Sequence, residues 1–463
     1  MGIPAYISKL PSTRFPDLFE NLQKERQQSE KITIILDDDP TGCQTVHDVP
    51  VLLSWGEQVL KKEIDNGHKT IFILTNSRSL NTDDAVRLNR DIGHVLKKIS
   101  ASTGCIFSLI SRSDSTLRGH YPAEPQALHF LYDRPPVHCI IPAFFQGGRV
   151  TANDIHYVIQ GDEWIPAAET PFAGDKVFGF GHSNLTDWVE EKTSGEVKAG
   201  EVVSFSIDEL RRHGPDHVEA LLLKMKLGQT AIVNALEQND LDIFALGALK
   251  AEKKGAAILY RTAASMINSY CAIEITEPLP AGQLVSGRVN GGLIIAGSYV
   301  PKTTAQLERL TKGSKINAIE VNVKEILGNN RSEIMQKIIN ETDKLISSGE
   351  DVLIYTSREL VCSENEKENL TIGRSVSDFL VEAVRRLKST PGFVVAKGGI
   401  TSHDIASRGL GIKRALVAGQ ALPGVPVWSV TGDTGREEMK YMVFPGNVGG
   451  DDALLQLYDK LTS

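Results

Sequence analysis

The chain is poor in cysteine: Cys43, Cys105, Cys139, Cys271 and Cys362 are an odd set of five in 463 residues, with no C-x-x-C pair. That usage excludes a disulfide frame and fits reduced thiols in a cytoplasm. Basic charge is also short. Lys and Arg number 50 against 58 Asp and Glu, a formal net charge of −8, which excludes a protein that works by laying a basic face on nucleic-acid phosphates. No window approaches about eighteen uncharged apolar residues, so no membrane-spanning helix is expected. Met1 to Glu30 lacks the apolar core of a signal peptide. Several catalytic strings are missing too. There is no G-x-x-x-x-G-K-[ST], no G-x-G-x-x-G after a strand, no H-E-x-x-H and no G-x-S-x-G, which excludes a standard P-loop, a dinucleotide fingerprint, a zinc-protease helix and a serine elbow.

What remains is a chain with 41% hydrophobic and 23% charged residues, ordinary for globular proteins and long enough for two or three cores. Apolar runs at Ile32–Leu36, Val49–Leu53, Thr70–Thr75, Cys105–Ile110 and Val137–Ile141 read as strands. Between the third and fourth, Val86, Ile92, Val95, Leu96 and Ile99 fall at helical spacing, with Thr82 as the expected N-cap. This alternation predicts an α/β fold with a mostly parallel sheet. Residues 142–200 are rich in Gly, Pro and aromatics with weak periodicity, and read either as a substrate-covering insertion or as loops around a site. The rhythm resumes at Val202–Ser206, a helix over Ile207–Lys226 and a strand at Thr230–Asn234. Residues 276–292 carry Pro278, Pro280, Gly282, Gly287, Gly291 and Gly292 and read as a linker. Beyond it, strands at Leu293–Ala296, Asp351–Tyr355, Phe393–Ala396 and Pro426–Val430, with helices from about Thr303 and near Ser375–Leu387, make a second α/β unit. The expected division is therefore 1–275, a linker over 276–292, and 293–463.

Two strings place polar groups where buried strands end, the position at which open α/β sheets build sites. The first is Asp37-Asp38-Asp39-Pro40-Thr41-Gly42. The second is Ser111-Arg112-Ser113-Asp114-Ser115-Thr116-Leu117-Arg118-Gly119. Asp38, Asp39 and Asp114 suit proton acceptance from a hydroxyl, or magnesium held through oxygen; Arg118 has the planar fork that clamps a carboxylate, and Arg78 is a second candidate. The same acids can instead cap turns and pair with arginines. His47 and His120 lie beside these strings, as surface or supporting groups. In the second unit, Gly297-Ser298 followed by Pro301, the turn Lys397-Gly398-Gly399-Ile400-Thr401-Ser402 with His403 behind it, and Pro445-Gly446-Asn447-Val448-Gly449-Gly450 offer backbone amides and hydroxyls to a polyphosphate, or serve backbone geometry alone.

Taken together, these strings resemble the four-carbon acid sugar kinases over nearly the whole chain, with Asp114-Ser115-Thr116-Leu117-Arg118-Gly119 the most specific part. Members of that family carry Phe where this chain has Pro40 and Lys where it has Arg112, and have a shorter N-terminal domain without Asp37. The resemblance implies an N-terminal domain that binds an acid sugar, a C-terminal domain that binds ATP, and magnesium as the companion cation. It implies transfer of the γ-phosphoryl group to the terminal hydroxyl of a threonate, erythronate or 3-oxo-tetronate in an interdomain cleft. By the same resemblance ATP contacts fall on Ser298, Gly398, Gly399, Ile400, Thr401 and Gly446, and the acid-sugar end on Asp38, Asp39, Asp114, Ser115 and Arg118. Partners are then small molecules, with a homo-oligomer compatible. Two other functions stay open: a phosphatase of the aspartyl-phosphate type using Asp37, Asp39 and Thr41, and a non-catalytic sensor of a nucleotide or metabolite.

Overall fold

The computed structural model describes residues 2–12, 15–285, 288–297, 300–358, 366–430, 439–446 and 448–463, the side chains of 366–370 aside. It divides into two compact units, Met1–Val49 with Ser54–Ile275, and Pro50–Leu53 with Thr276–Ser463.

The first unit is built on seven parallel strands in the order Thr70–Leu74, Ile32–Asp37, Phe107–Arg112, Ile258–Thr262, Val137–Ile141, Thr230–Val233, Val203–Phe205. Ile32–Asp37 is buried at every position, which is why it reads as a continuous apolar run rather than an alternation. Register pairs Asp37 with Leu74 on one side and with Arg112 on the other, and Arg112 with Thr262. The acidic string, the arginine motif and the end of Ile258–Thr262 therefore leave the sheet side by side at its carboxyl edge.

Several boundaries differ from the sequence reading. The third-to-fourth connection is a helix over Thr82–Thr103 whose N-cap is Asn81, not Thr82; the Asn81 side chain accepts the Asp84 amide. The strand expected from Cys105 starts at Phe107 and runs on to Arg112, so Ser111 and Arg112 belong to the strand itself. The helix from Ile207 ends at Lys224 and is broken at Gly214, φ +70°, just before Pro215. Residues 142–200 hold a three-stranded antiparallel sheet, Arg149–Ala152, Ile155–Gln160 and Glu163–Pro166, with short helices after it.

In the second unit five strands run parallel in the order Asn317–Val321, Val352–Thr356, Leu293–Ala296, Phe393–Lys397, Lys440–Phe444. The antiparallel pair Val425–Val430 and Arg414–Leu422 extends them, and Val49–Leu52 follows next in order. The run expected to be a strand of the first unit thus groups with the second, its last amide, Leu53, donating to the Lys413 carbonyl at 2.9 Å. An apolar tetrapeptide satisfies either sheet, and its own residues cannot say which. Pro301 opens the helix Pro301–Gly313 at its first turn, where its missing amide hydrogen costs nothing. Among the described residues no helix is long and apolar enough to cross a membrane.

Candidate functional site

In the first unit the strand-end acids are locked to arginines. Arg78 reaches three carboxylates, Asp39 at 2.5 Å, Asp114 at 3.3 Å and Asp38 at 3.4 Å. Arg112 lies 3.2 Å from Asp37 and 3.7 Å from Asp38. Arg118 donates from Nε to Asp114 at 2.7 Å, and its Nη1 lies 3.7 Å from Asp175. Its fork, expected to clamp a carboxylate from outside, is thus already engaged with a carboxylate of the motif. Ser113 Oγ donates to Asp38 Oδ2 at 2.8 Å, Thr41 gives Asp39 its amide at 2.8 Å and its hydroxyl at 2.5 Å, and Thr116 donates its hydroxyl to Asp114. Asp38, Asp39, Asp114, Arg78 and Arg118 are brought into one cluster, with Ser115 buried beside them.

These contacts divide the acids electrically. Burial pushes the Asp39 and Asp114 carboxyls up, but Arg78, together with Thr41 for Asp39 and Arg118 for Asp114, outweighs it and holds both below the ordinary carboxylate range. Asp38 goes the other way, since burial outweighs Arg78 and Arg112 and raises it. Its Oδ1 is buried without a hydrogen-bond donor. Asp37 is pushed up to about 7, again by burial against Arg112. It is only 2% exposed, and Gly42 seals it: a Cβ at Gly42 would stand 1.9 Å from Asp37 Oδ2.

Arg261, missed in the sequence, completes the cluster. Only 6% exposed, it donates to Ser111 and Ser113 at 2.7 Å each and pairs with Glu124 at 2.9 Å. A charge inside the apolar run Ile258-Leu259-Tyr260-Arg261 was its visible signal. His120 supports the neighbouring loop, its Nε2 3.1 Å from the carbonyls of Ser77 and Leu80, and His47 pairs with Asp48.

In the second unit the three glycine segments follow three adjacent parallel strands, Leu293–Ala296, Phe393–Lys397 and Lys440–Phe444. Gly398 sits at φ +100°, ψ 143° before the helix Gly399–Asp404, and donates its amide to the Phe444 carbonyl at 2.8 Å. A Cβ on Gly297 would lie 3.2 Å from Thr401 Oγ1, so the first two turns touch. Ile400 is exposed, and a Cβ on Gly446 would meet nothing within 4 Å. Ser298 lies outside the described residues. The unforeseen member is Lys397, the last residue of its strand. Fully buried, it donates to the carbonyls of Pro445 at 2.9 Å and Gly446 at 3.3 Å and lies 4.3 Å from the centroid of the Phe444 ring. Among the described residues no carboxylate lies in salt-bridge range of it. Burial, with repulsion from Lys302 added, pushes its ammonium down to about 7. A buried cation among glycine turns that lacks a carboxylate is prepared for an anion.

A family model for a sugar-binding N-terminal domain matches residues 33–270, and one for a nucleotide-binding C-terminal domain matches residues 293–454. The chain belongs to this two-domain family. The acid and arginine cluster lies in its sugar-binding domain, and the glycine turns lie in its nucleotide-binding domain. Among solved structures, the chain is similar to the Haemophilus influenzae protein HI1011 of the DUF1537 family, with 17% identity, 93% of this chain and 100% of that one covered, and a TM-score of 0.61. It is also similar to a Salmonella typhimurium LT2 protein described as a candidate tRNA synthase, with 17% identity, 92% and 98% covered, and a TM-score of 0.67. At this identity the likeness is one of fold. No curated protein matches the chain.

The nucleotide-binding domain carries a pH prediction. For Lys397 the folded value of about 7 lies below the ordinary 10.5. The folded state therefore binds fewer protons between these values, and its stability rises with pH across that window; the full cost of the buried charge is present below about pH 7. A nucleotide phosphate brought against the ammonium would restore the proton. Nucleotide binding near pH 8 is expected to take up close to one proton, falling towards zero below about pH 6, as read by calorimetry in buffers of different ionisation enthalpy. Lys397→Met should abolish the uptake and weaken nucleotide binding by about 10- to 100-fold. An unchanged proton count in the variant would remove Lys397 from the site.

Proposed function

We propose that the protein is an ATP-dependent kinase that phosphorylates the terminal hydroxyl of a four-carbon acid sugar of the threonate, erythronate or 3-oxo-tetronate type. The observation that carries this reading is Lys397: a buried lysine with no carboxylate in salt-bridge range among the described residues, at the head of one glycine turn and bonded to the carbonyls of another, in a nucleotide-binding domain whose chain also holds a sugar-binding domain. Phosphoryl transfer asks the protein for positioning and charge neutralisation more than for covalent chemistry. Gly399, Ile400, Thr401 and Gly446 supply main-chain groups to the phosphates, Gly398, whose amide goes to the Phe444 carbonyl and whose carbonyl accepts the Ser402 amide, shapes the turn that presents them, and Ser298 is assigned to the same end by the family resemblance. Magnesium would accompany ATP and would supply charge neutralisation at the phosphates.

On the sugar side the roles follow from the electrostatics. Asp39 and Asp114, held ionised by arginine, orient hydroxyls. Asp38, with raised proton affinity and an Oδ1 that takes no hydrogen bond although Arg78 and Arg112 lie 3.4 and 3.7 Å from it, is the group suited to accept the hydroxyl proton. Arg78 and Arg118 fix these acids from within the site, and Ser115 lies beside them. The phosphatase reading requires Asp37 as a nucleophile, and the close packing of Gly42 on its carboxylate, with Arg112 3.2 Å away, counts against that.

The test is an ADP-release screen over D- and L-threonate, D- and L-erythronate and their 3-oxo forms. At least one acid should raise ATP consumption 100-fold or more above the rate without acid. Equal consumption with and without every acid would refute the proposal.

A further inference from the structure

Five guanidinium groups surround the strand-end acids, and four of them have a carboxylate within 4 Å: Arg78, Arg112, Arg118 and Arg261. Arg149 is the exception. Among the described residues no carboxylate lies within salt-bridge range of it; its Nη1 donates to the Gly147 carbonyl, and its Nε is buried with no partner. It nevertheless belongs to the cluster, because it and Arg118 both lie on the ring of Phe172, at 5.8 Å and 5.0 Å from the centroid. Asp114 and Arg118 are also the charges it feels most.

The position is built rather than accidental. Arg149 opens the first strand of the antiparallel sheet, directly after Gly147-Gly148. A Cβ at Gly147 would stand 2.4 Å from the Phe144 ring and 2.9 Å from Arg149 Nη1, and Gly148, at φ +72°, has no room for one beside the Ile159 carbonyl at 2.8 Å. Arg149 and Phe144 exchange both main-chain hydrogen bonds, at 2.9 Å and 3.0 Å. Two residues on, Thr151 Oγ1 meets His156 Nδ1 at 2.9 Å, and His156 Nε2 meets the Ser115 carbonyl at 2.8 Å. Burial holds His156 down at about 4, so it is neutral at pH 7 and ties the strand to the Asp114-Ser115-Thr116 segment without adding charge. The strand that carries Arg149 is thereby tied to the segment that follows Asp114.

Arg149 is half-buried, and a cation partly withdrawn from water without a counter-charge weakens a fold unless a ligand supplies one. We propose that Arg149 binds the carboxylate of the acid substrate, and that it, rather than Arg118, distinguishes a polyhydroxy acid from an uncharged polyol. This rests on the acid-sugar reading of the same site. Arg118 acts as a positioning residue, its Nε committed to Asp114.

The experiment compares wild-type protein with Arg149→Met and Arg149→Lys in two readouts. In steady-state kinetics with the best four-carbon acid, Arg149→Met should raise KM about 100-fold with kcat changed less than about 5-fold, and Arg149→Lys should recover part of the loss. With the matching alditol, threitol or erythritol, the wild type and both variants should have the same KM. In thermal unfolding, Arg149→Met alone should melt above the wild type because the unpaired charge is gone. It should lose the shift that the acid produces and keep the shift that ATP produces. Inorganic phosphate serves as a control anion and should protect the wild type less than the acid does. A wild type that responds to acids beside a variant that responds equally overturns the role of Arg149 and leaves the kinase reading standing. Phosphate protection equal to or above that of the acid overturns the assignment to a carboxylate. A wild type with no response to any acid overturns both.

Discussion

Replacing Arg78 with methionine is expected to lower the melting temperature of the sugar-binding domain by roughly 10 °C and to abolish phosphoryl transfer. Its guanidinium lies within 3.4 Å of Asp38, Asp39 and Asp114, of which Asp38 is buried and the other two are half-buried. Removing one partner of a buried ion pair costs about 3 to 5 kcal/mol, because the other charge is left without compensation; here three carboxylates are left. The loss should depend on pH in a definite sense. Asp39 and Asp114 have folded-state values below the ordinary carboxylate range, so their stabilisation is fully present above about pH 4 and is lost as pH falls through their folded values. Asp38, shifted upward, opposes this in part. The gap between wild type and Arg78→Met should therefore be held from pH 7 down to about pH 4 and narrow as the pH falls below 4. Thermal denaturation across that range checks it, and a gap independent of pH would mean that Arg78 acts through packing alone. Arg78→Lys keeps the charge but loses the fork, and should recover stability without recovering full activity.

The second large effect is expected at Gly398. Its φ of +100° with ψ 143° is a conformation that an L side chain adopts only at a cost of about 1 to 3 kcal/mol. Gly398→Ala should therefore shift the turn and weaken ATP binding by about 10- to 100-fold, while the thermal shift given by the acid stays at its wild-type size. Gly446 is the control. A Cβ there meets nothing within 4 Å, so Gly446→Ala should melt like the wild type, and any loss of ATP affinity in it reports a ligand that approaches the main chain. Equal loss of acid and ATP binding in Gly398→Ala would show that the two domains do not hold separate ligands.

The parts of this fold that were legible in the sequence are those carried by local pattern. Continuous apolar runs such as Ile32–Leu36 and Leu293–Ala296 announce strands buried on both faces, and the polar strings behind them announce a carboxyl edge. Pro301 marked its helix start correctly. What stayed hidden depends on pairing between distant segments. Val49–Leu52 is apolar enough for either unit, and only its place beside Arg414–Leu422 assigns it to the second. Arg261 is 143 positions beyond Arg118 in the chain, and joins the same cluster because Ile258–Thr262 pairs with Phe107–Arg112. Arg149 sits in a stretch whose glycines and aromatics gave only weak periodicity, yet one of those glycines, Gly147, is what makes room for its guanidinium. Lys397 was visible as the first residue of a glycine turn, but its burial could not be read before Lys440–Phe444 was known to run alongside. A charged residue at or next to the last position of an apolar strand, as at Arg112, Arg261 and Lys397, is the signal these three cases share.

The measurement that tests the central claim most directly follows the phosphoryl group itself. ATP labelled with ¹⁸O in its γ-phosphoryl group is incubated with the protein and the four-carbon acids, and the products are read by mass spectrometry and ³¹P NMR. The account predicts that the labelled phosphoryl group appears on the terminal hydroxyl oxygen of one acid, in step with ADP. Label found in inorganic phosphate whether or not an acid is present, or no transfer to any of them, would contradict it.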